Sequence, residues 1–252
     1  MKRLLSGLLL LPLFSSPLFA SVVFVQSKSK FATISATSDT LAFDSNVTAG
    51  SLILVAVENS NDTLTISSMT GNSNTFSEVC HVSNVGTGSL WAAVNANAGA
   101  TTVTINYSGT VDRNNIVIHE VSGAETSSVA AAVRSSSCVH QAYPGSGTDA
   151  QTSGTLTSVA GDYIFGFISD DNPNNNGGQY MTGTSFTGRE ANLGTGYYSS
   201  EDNITSALTA ATWTNAVSSG VNITAASLKA SGGGGGGTVP AGSKLTLTGA
   251  GR

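Results

Sequence analysis

The chain has 252 residues, of which only 10% are charged, against roughly a quarter in an ordinary globular protein. Its 15 acidic residues outnumber 10 basic ones, so the basic footprint of a nucleic-acid binder is absent. Ser, Thr, Asn and Gly carry the polarity instead, which suits a hydroxyl- and amide-covered extracellular β surface better than a cytosolic helical one.

The amino terminus reads as an export signal. Lys2 and Arg3 form a positive start, and 4–14 form an apolar run broken by Ser6, Gly7 and Pro12. Small residues follow, and Ala20 offers the cleavage position. The run is too short for a bilayer core, which needs about 20 apolar residues, and no Cys follows it to take a lipid. Residues 1–20 are therefore expected to be a signal peptide, with the mature chain secreted or held at the cell surface. No second apolar stretch is long enough to be a transmembrane segment in the mature chain.

Residues 21–231 are predicted to form one domain. Short runs rich in Val, Ile, Thr and Phe are broken by Gly, Asn, Asp and Ser at the spacing of a sandwich or barrel. The predicted strands are 22–25, 31–35, 51–57, 64–69, 76–82, 90–94, 102–107, 115–121, 127–134, 163–169, 179–186, 205–211 and 220–229. In 102–107 the apolar side is Val103, Ile105 and Tyr107, the period of two that leaves one face wet. By contrast, 52–57 and 116–118 are apolar on both faces, which predicts strands covered on both sides. Segments 127–133 and 204–211 are the best helical rivals, but Ser and Thr lower helix preference there. The fold class expected is all-β: a single antiparallel, jelly-roll-like β-sandwich.

A faint internal echo is present. Thr48-Ala49-Gly50-Ser51 feeds the apolar run 52–57, and Val159-Ala160-Gly161-Asp162 feeds 163–168. Both read as tight turns in which Gly supplies a positive φ. The echo is too short to define two domains. After Lys229 come six glycines, 232–237, expected to act as a flexible linker, and a short tail to 252. The stretch Gly237 to Lys244 lacks the spacing of a phosphate loop.

Cys80 and Cys138 are the two cysteines, and in an exported chain they are expected to pair as a disulfide. Neither sits in a CxxC motif, so redox and structural zinc motifs are absent.

Several stretches, in chain order, carry a family resemblance: Val23-Phe24-Val25-Gln26-Ser27, then 47–57, 98–104, Ile118-His119-Glu120-Val121-Ser122-Gly123, 160–164 and 213–229. On these the chain resembles a loosely defined group of secreted bacterial and phage-associated β-sandwich domains, of jelly-roll or immunoglobulin-like type. The resemblance implies a fold and no catalytic residue.

No catalytic residue is predicted. Glu58, Glu120 and Glu190 show no spacing that pairs two carboxylates across a cleft. Glu120 is expected to cap a turn or pair with Arg113. His81 and His140 neighbour the two cysteines without zinc-finger spacing. No cofactor is required. The densest oxygen-ligand run, 170–178, makes structural calcium the one metal candidate, through Asp170, Asp171, Asn172 and Asn174. Glu201-Asp202-Asn203 reads as a second acidic turn. Tyr180, Phe186, Tyr197 and Tyr198 flank the Asn- and Gly-rich loops and are the candidate ligand-binding aromatics. The sequence points away from an enzyme. The function it suggests first is a non-catalytic extracellular structural or adhesive surface protein, self-associating or bound to a surface protein or glycan. A carbohydrate-binding module comes second and a secreted glycan-active hydrolase third.

Overall fold

The computed structural model describes residues 21–232, except 85, 143–149, 171–178, 193–196 and 217–219. The leader and the tail beyond 232 lie outside the described residues. The strands are β1 (Val23–Ala42), β2 (Leu52–Asn59), β3 (Ile66–Gly71), β4 (Asn74–Thr75), β5 (Ser77–Asn84), β6 (Gly86–Ala93) and β7 (Thr102–Ser122). After one helical turn, α1 (Val129–Ala132), come β8 (Val133–Gln141), β9 (Gln151–Thr152), β10 (Tyr163–Asp170) and β11 (Gln179–Thr182). The last are β12 (Thr187–Asn192), β13 (Tyr198–Asn203), β14 (Thr212–Ala216) and β15 (Val221–Leu228). All strand pairs are antiparallel. The protein is an all-β, sandwich-like structure, as the spacing of its apolar runs predicts.

β1 and β7, of 20 and 21 residues, are each about twice the upper end of the usual strand length, about 10 residues. Segments 22–25 and 31–35 merge into β1, and 102–107 and 115–121 merge into β7. Register shifts near Thr33, Ala36 and Ser38 interrupt their pairing. One arm of β7 pairs with β2 and the other with β3. Val103, Ile105 and Tyr107 from one arm meet Ile116 and Ile118 from the other in a single core cluster, together with Ile53, Val55 and Val57 of β2. The first half of the chain thus curls into its own two-layer sandwich.

The second half follows the same path in shorter pieces. In the first half the main sheet runs β1–β7–β2–β6–β5, and in the second β8–β15–β10–β13–β12. Behind the first lies β3 with the outer arms of β1 and β7. Behind the second lies β11–β14–β9. Strand by strand, β2 corresponds to β10, β6 to β13, β5 to β12 and β3 to β11. The bent strand β7 corresponds to β14 plus β15, and β1 to β8 plus β9. The internal echo falls at matching places in this arrangement: Gly50 (φ 79°) and Gly161 (φ 92°) stand two residues before β2 and β10. Their turns close by matching bonds, Ser51 N–H to Thr48 O at 3.2 Å and Asp162 N–H to Val159 O at 3.1 Å.

The two main sheets pack face to face. Leu52, Leu54, Ala56, Leu90, Val117 and Val121 meet Tyr163, Phe165, Phe167, Tyr198, Ala226 and Leu228 in the central cluster. A third cluster, with Ile164, Ile168, Ile223 and Trp213, fills the outer layer of the second half. β2 and β10 are covered on both faces, and every residue of each is buried. Gly166 stands where the first half has Val55. A methyl there would lie 2.8 Å from the indole of Trp213, so the large ring occupies space that the missing side chain leaves.

Two regions fold differently from the sequence reading. Segment 127–134 splits into a single helical turn capped by Ser128 and the start of β8. Segment 205–211 lies between strands, and pairing starts at Thr212. β12 and β13 have no counterpart in the predicted strands. Glu201-Asp202-Asn203 is a buried strand end, not an exposed acidic turn. Asp202 is tolerated there because it pairs with Arg189, and Glu201 accepts two backbone N–H groups.

Candidate functional site

The seam between the halves holds most of the buried polar chemistry. Strand register defines one row across each main sheet. In the first it is Ser29, Val117, Ala56, Leu90, Cys80. In the second it is Cys138, Thr224, Phe167, Ser200, Glu190. Ala56 and Phe167 occupy equivalent positions, so Ser29 matches Cys138 and Cys80 matches Glu190. Each end of one row meets an end of the other, and neither contact joins equivalent positions. Cys80 and Cys138 form a disulfide with Cα atoms 5.8 Å apart. On the opposite flank Ser29 Oγ donates to Glu190 at 2.7 Å, and Ser27 Oγ donates to the other Glu190 oxygen at 2.6 Å. The pairing expected from the cysteine count is present, and it clamps one half to the other.

A directed chain of hydrogen bonds crosses the centre. Burial, followed by the Arg189 charge, holds His119 down to about 3, so its ring is neutral with one N–H. Tyr163 O–H donates to Asp202 at 2.9 Å. Tyr163 must then accept from His119 Nδ1–H, which lies 3.0 Å away. That leaves Nε2 to accept from Ser200 O–H at 3.1 Å. Ser200 in turn accepts the Glu190 N–H at 3.2 Å. Asp202 ends the chain in a two-pronged pair with Arg189, at 2.6 and 2.9 Å. The guanidinium lies 3.7 Å above the Phe24 ring. A serine, a histidine and an acid are linked here, but the acid is reached only through the Tyr163 hydroxyl, where a hydrolase triad joins it directly to the histidine, and Ser200 and His119 are wholly buried. The chain joins β7, β10, β12 and β13, and each donor has an acceptor, which is what a low-dielectric interior requires.

The two echoing turns are tied by the same pair of groups with their positions exchanged. In the first half Ser51 Oγ donates to Glu120 at 2.8 Å, and Glu120 also accepts Thr48 N–H at 2.8 Å. In the second half Ser227 Oγ donates to Asp162 at 3.0 Å, and Asp162 also accepts Val159 N–H at 2.9 Å. Ser51 corresponds to Asp162 and Glu120 to Ser227. Glu120 therefore caps a turn, and Gln26 adds a third donor at 2.6 Å. Arg113 acts instead on Glu58.

Two other carboxyls are held in the neutral form. Burial pushes Glu58 up to about 8, against the opposing pull of Arg113 and the Ser169 hydroxyl. Asn115 links this group across the seam by donating to Glu58 at 3.1 Å and to Ser169 at 2.7 Å. Glu58 and Ser169 are themselves equivalent positions of β2 and β10. Burial also raises Glu201 to about 8, although it accepts the N–H groups of Gly183 and Thr212, each at 2.9 Å.

The candidate aromatics lie elsewhere than a sugar platform requires. Tyr180 and Tyr197 are buried in the third cluster, and Phe186 packs against it. Tyr198 is buried in the central cluster. Alternation did not mark them as core because their strands are short and polar. Of the calcium candidates, Asp170 is buried at the end of β10. Asp171, Asn172 and Asn174 lie outside the described residues. Among the described residues, no group of three or more His, Cys, Asp and Glu side chains converges as metal ligands. His81 lies 3.0 Å from Glu78, and His140 lies 3.3 Å from Asn222.

Sequence reading missed Arg189, Ser200 and the roles of His119 and Asp202. The signal that could have found them was the echo. Laying the second half on the first puts a buried strand at 198–203, beside β10.

Grooves open on the surface among the described residues. One, of about 400 Å³, is lined by Tyr180, Met181, Thr182, Arg189 and Glu190, among others. Another, of about 470 Å³, lies between β5 and α1. No family, curated protein or solved structure matches the chain. The class is thus defined by the fold: a disulfide-clamped double β-sandwich built from two topologically equivalent halves. No helix among the described residues is long and apolar enough to cross a membrane.

Proposed function

We propose that the protein is an exported, non-catalytic structural or adhesive surface protein. The observation that carries this reading is the use of its buried ionisable groups. Glu120 and Asp162 tie turns. His119 and Glu190 bond across to the other half, and Arg189, held by Asp202, stacks on Phe24 of the other half. These are the roles of a rigid building block. Export is supported by the leader-like residues 1–20 and by the disulfide, which persists in oxidising compartments. Val22 is buried in the central cluster, which fits a mature chain starting close before it. Both described ends lie together. Ser231 N–H donates to Gly123 O at 2.8 Å, and Ser21 O lies 2.3 Å from where a side chain on Gly123 would begin. A tether on either end would therefore hold the body by one pole.

The test is size analysis and negative-stain imaging of the secreted full chain, with intact mass. Ordered oligomers or filaments, with mass loss equal to residues 1–20, support the reading. A monodisperse monomer that binds no surface overturns it.

A carbohydrate-binding role has one observation in its favour, the groove beside β12, where Met181 is exposed. Retention on an insoluble polysaccharide, lost on Met181→Lys, would support it. No retention across a broad glycan panel would remove it.

A further inference from the structure

The groove between β5 and α1 lies at a position whose equivalent on the opposite flank of the seam is filled by side chains. β5 and β12 carry a bulge at the same place, between Glu78 and Cys80 and between Gly188 and Glu190. The bulged residues, Val79 and Arg189, are therefore equivalent. Phe24 pairs with Val121, and Val133 pairs with Leu228. Val121 and Leu228 sit opposite the equivalent residues Leu52 and Tyr163, so Phe24 and Val133 are equivalent too. On the β12 flank the position is filled by the Arg189 guanidinium stacked 3.7 Å above the Phe24 ring. On the β5 flank the same two positions hold valines. Val79 and Val133, with Val129, Ala130 and Glu78, line an open groove of about 470 Å³.

We propose that this groove is a docking site for a protein segment that presents an aromatic ring next to a basic side chain, the pair that the molecule itself supplies on its other flank. The valines and Ala130 provide the apolar floor for a ring. The charge pattern favours a basic neighbour. Asp202, the acid that holds Arg189, corresponds to Ala92 in the first half. An acid instead appears one step along the neighbouring strand, as Glu78, where the second half has Gly188. Glu78 is 39% exposed and lies 3.0 Å from His81 Nδ1, so its carboxylate is open to solvent, where a partner's cation can reach it beside that imidazole. The chain's net charge of −5 steers such a partner in the same direction.

The test uses the intact oxidised protein and the probe N-acetyl-Phe-Arg-amide, with N-acetyl-Ala-Arg-amide and N-acetyl-Phe-Glu-amide as controls. Methyl NMR resonances of Val79, Val129, Ala130 and Val133 are followed. The expected result is a saturable shift of these methyls by Phe-Arg, with affinity on the order of millimolar for so small a ligand. Ala-Arg and Phe-Glu should bind at least several-fold more weakly. Val133→Phe, which places a ring where the other flank has Phe24, should abolish the shifts while the disulfide stays formed. Glu78→Lys alters an exposed side chain and should reverse the preference between Phe-Arg and Phe-Glu. No shift of these methyls, equal response to Ala-Arg, or a preference unchanged in Glu78→Lys would each overturn the proposal.

Discussion

Ser29 and Glu190 are hydrogen-bonded at 2.7 Å at the position that the disulfide occupies on the opposite flank. Register makes Ser29 the counterpart of Cys138 and Glu190 the counterpart of Cys80. The same junction is therefore covalent on one side of the seam and polar on the other. A second bridge should fit there. In Ser29→Cys/Glu190→Cys, intact mass is expected to fall by two hydrogens on oxidation. The free energy of unfolding should rise by up to roughly 2–4 kcal/mol. A permanently reduced pair would contradict the equivalence.

The native disulfide spans 58 residues and joins the two halves. Its removal in Cys80→Ser/Cys138→Ser should cost roughly 2–4 kcal/mol. Because the bridge crosses the seam, hydrogen exchange should accelerate in β5 and β8 before it does in β1 and β12. Uniform acceleration across all four strands would count against a clamp acting on one flank.

The exchanged acid and hydroxyl at the two turns predict strong coupling. Glu120→Ser withdraws the acceptor of the Thr48 N–H and the Ser51 hydroxyl, and should cost about 3 kcal/mol. Ser51→Asp alone places a second acid against Glu120 and should also destabilise. The double change Ser51→Asp/Glu120→Ser rebuilds the arrangement seen at Asp162 and Ser227. It should be markedly more stable than the sum of the two single losses, by at least 1 kcal/mol or so in a denaturant cycle. Simple additivity would show that the two turns are not interchangeable.

Stability should favour acid conditions. Glu58 and Glu201 are each held near 8 by burial, above their ordinary value, so the folded state keeps protons that the unfolded chain releases. Their contribution is complete below about pH 4.5 and is lost as pH rises through about 8. His119, held near 3, acts in the opposite sense. Its contribution is complete above about pH 6.5 and is lost as pH falls through about 3. Between about 4.5 and 6.5 the two glutamates outweigh the one histidine, and above 6.5 they act unopposed. These three groups therefore place the optimum near pH 4.5, with a steeper decline above 6.5. Glu58→Gln should flatten that alkaline decline in a pH series of melting curves. An unchanged slope would show that Glu58 is ionised in the folded protein.

The sequence alone determined the all-β class, the disulfide partners and the central strands. The reason is local. Runs such as 52–57 are apolar at every position, and only a strand covered on both faces hides them all. Gly50 and Gly161 punctuate those runs because a positive φ costs glycine little. The tertiary structure alone decided what the polar segments do. Glu201, Asp202 and Ser200 look like surface residues because nothing nearby in sequence neutralises them. The partners of Asp202 and Ser200, namely Arg189, Tyr163 and His119, lie on other strands, with His119 from the other half, and Glu201 is met by the backbone N–H groups of Gly183 and Thr212. Tyr180 and Tyr198 likewise read as exposed rings beside loops, until a second sheet closes over them. The echo was legible from the start. Its meaning, two equivalent sandwiches clamped through one seam, depends on strand order and register, which contacts between distant residues set.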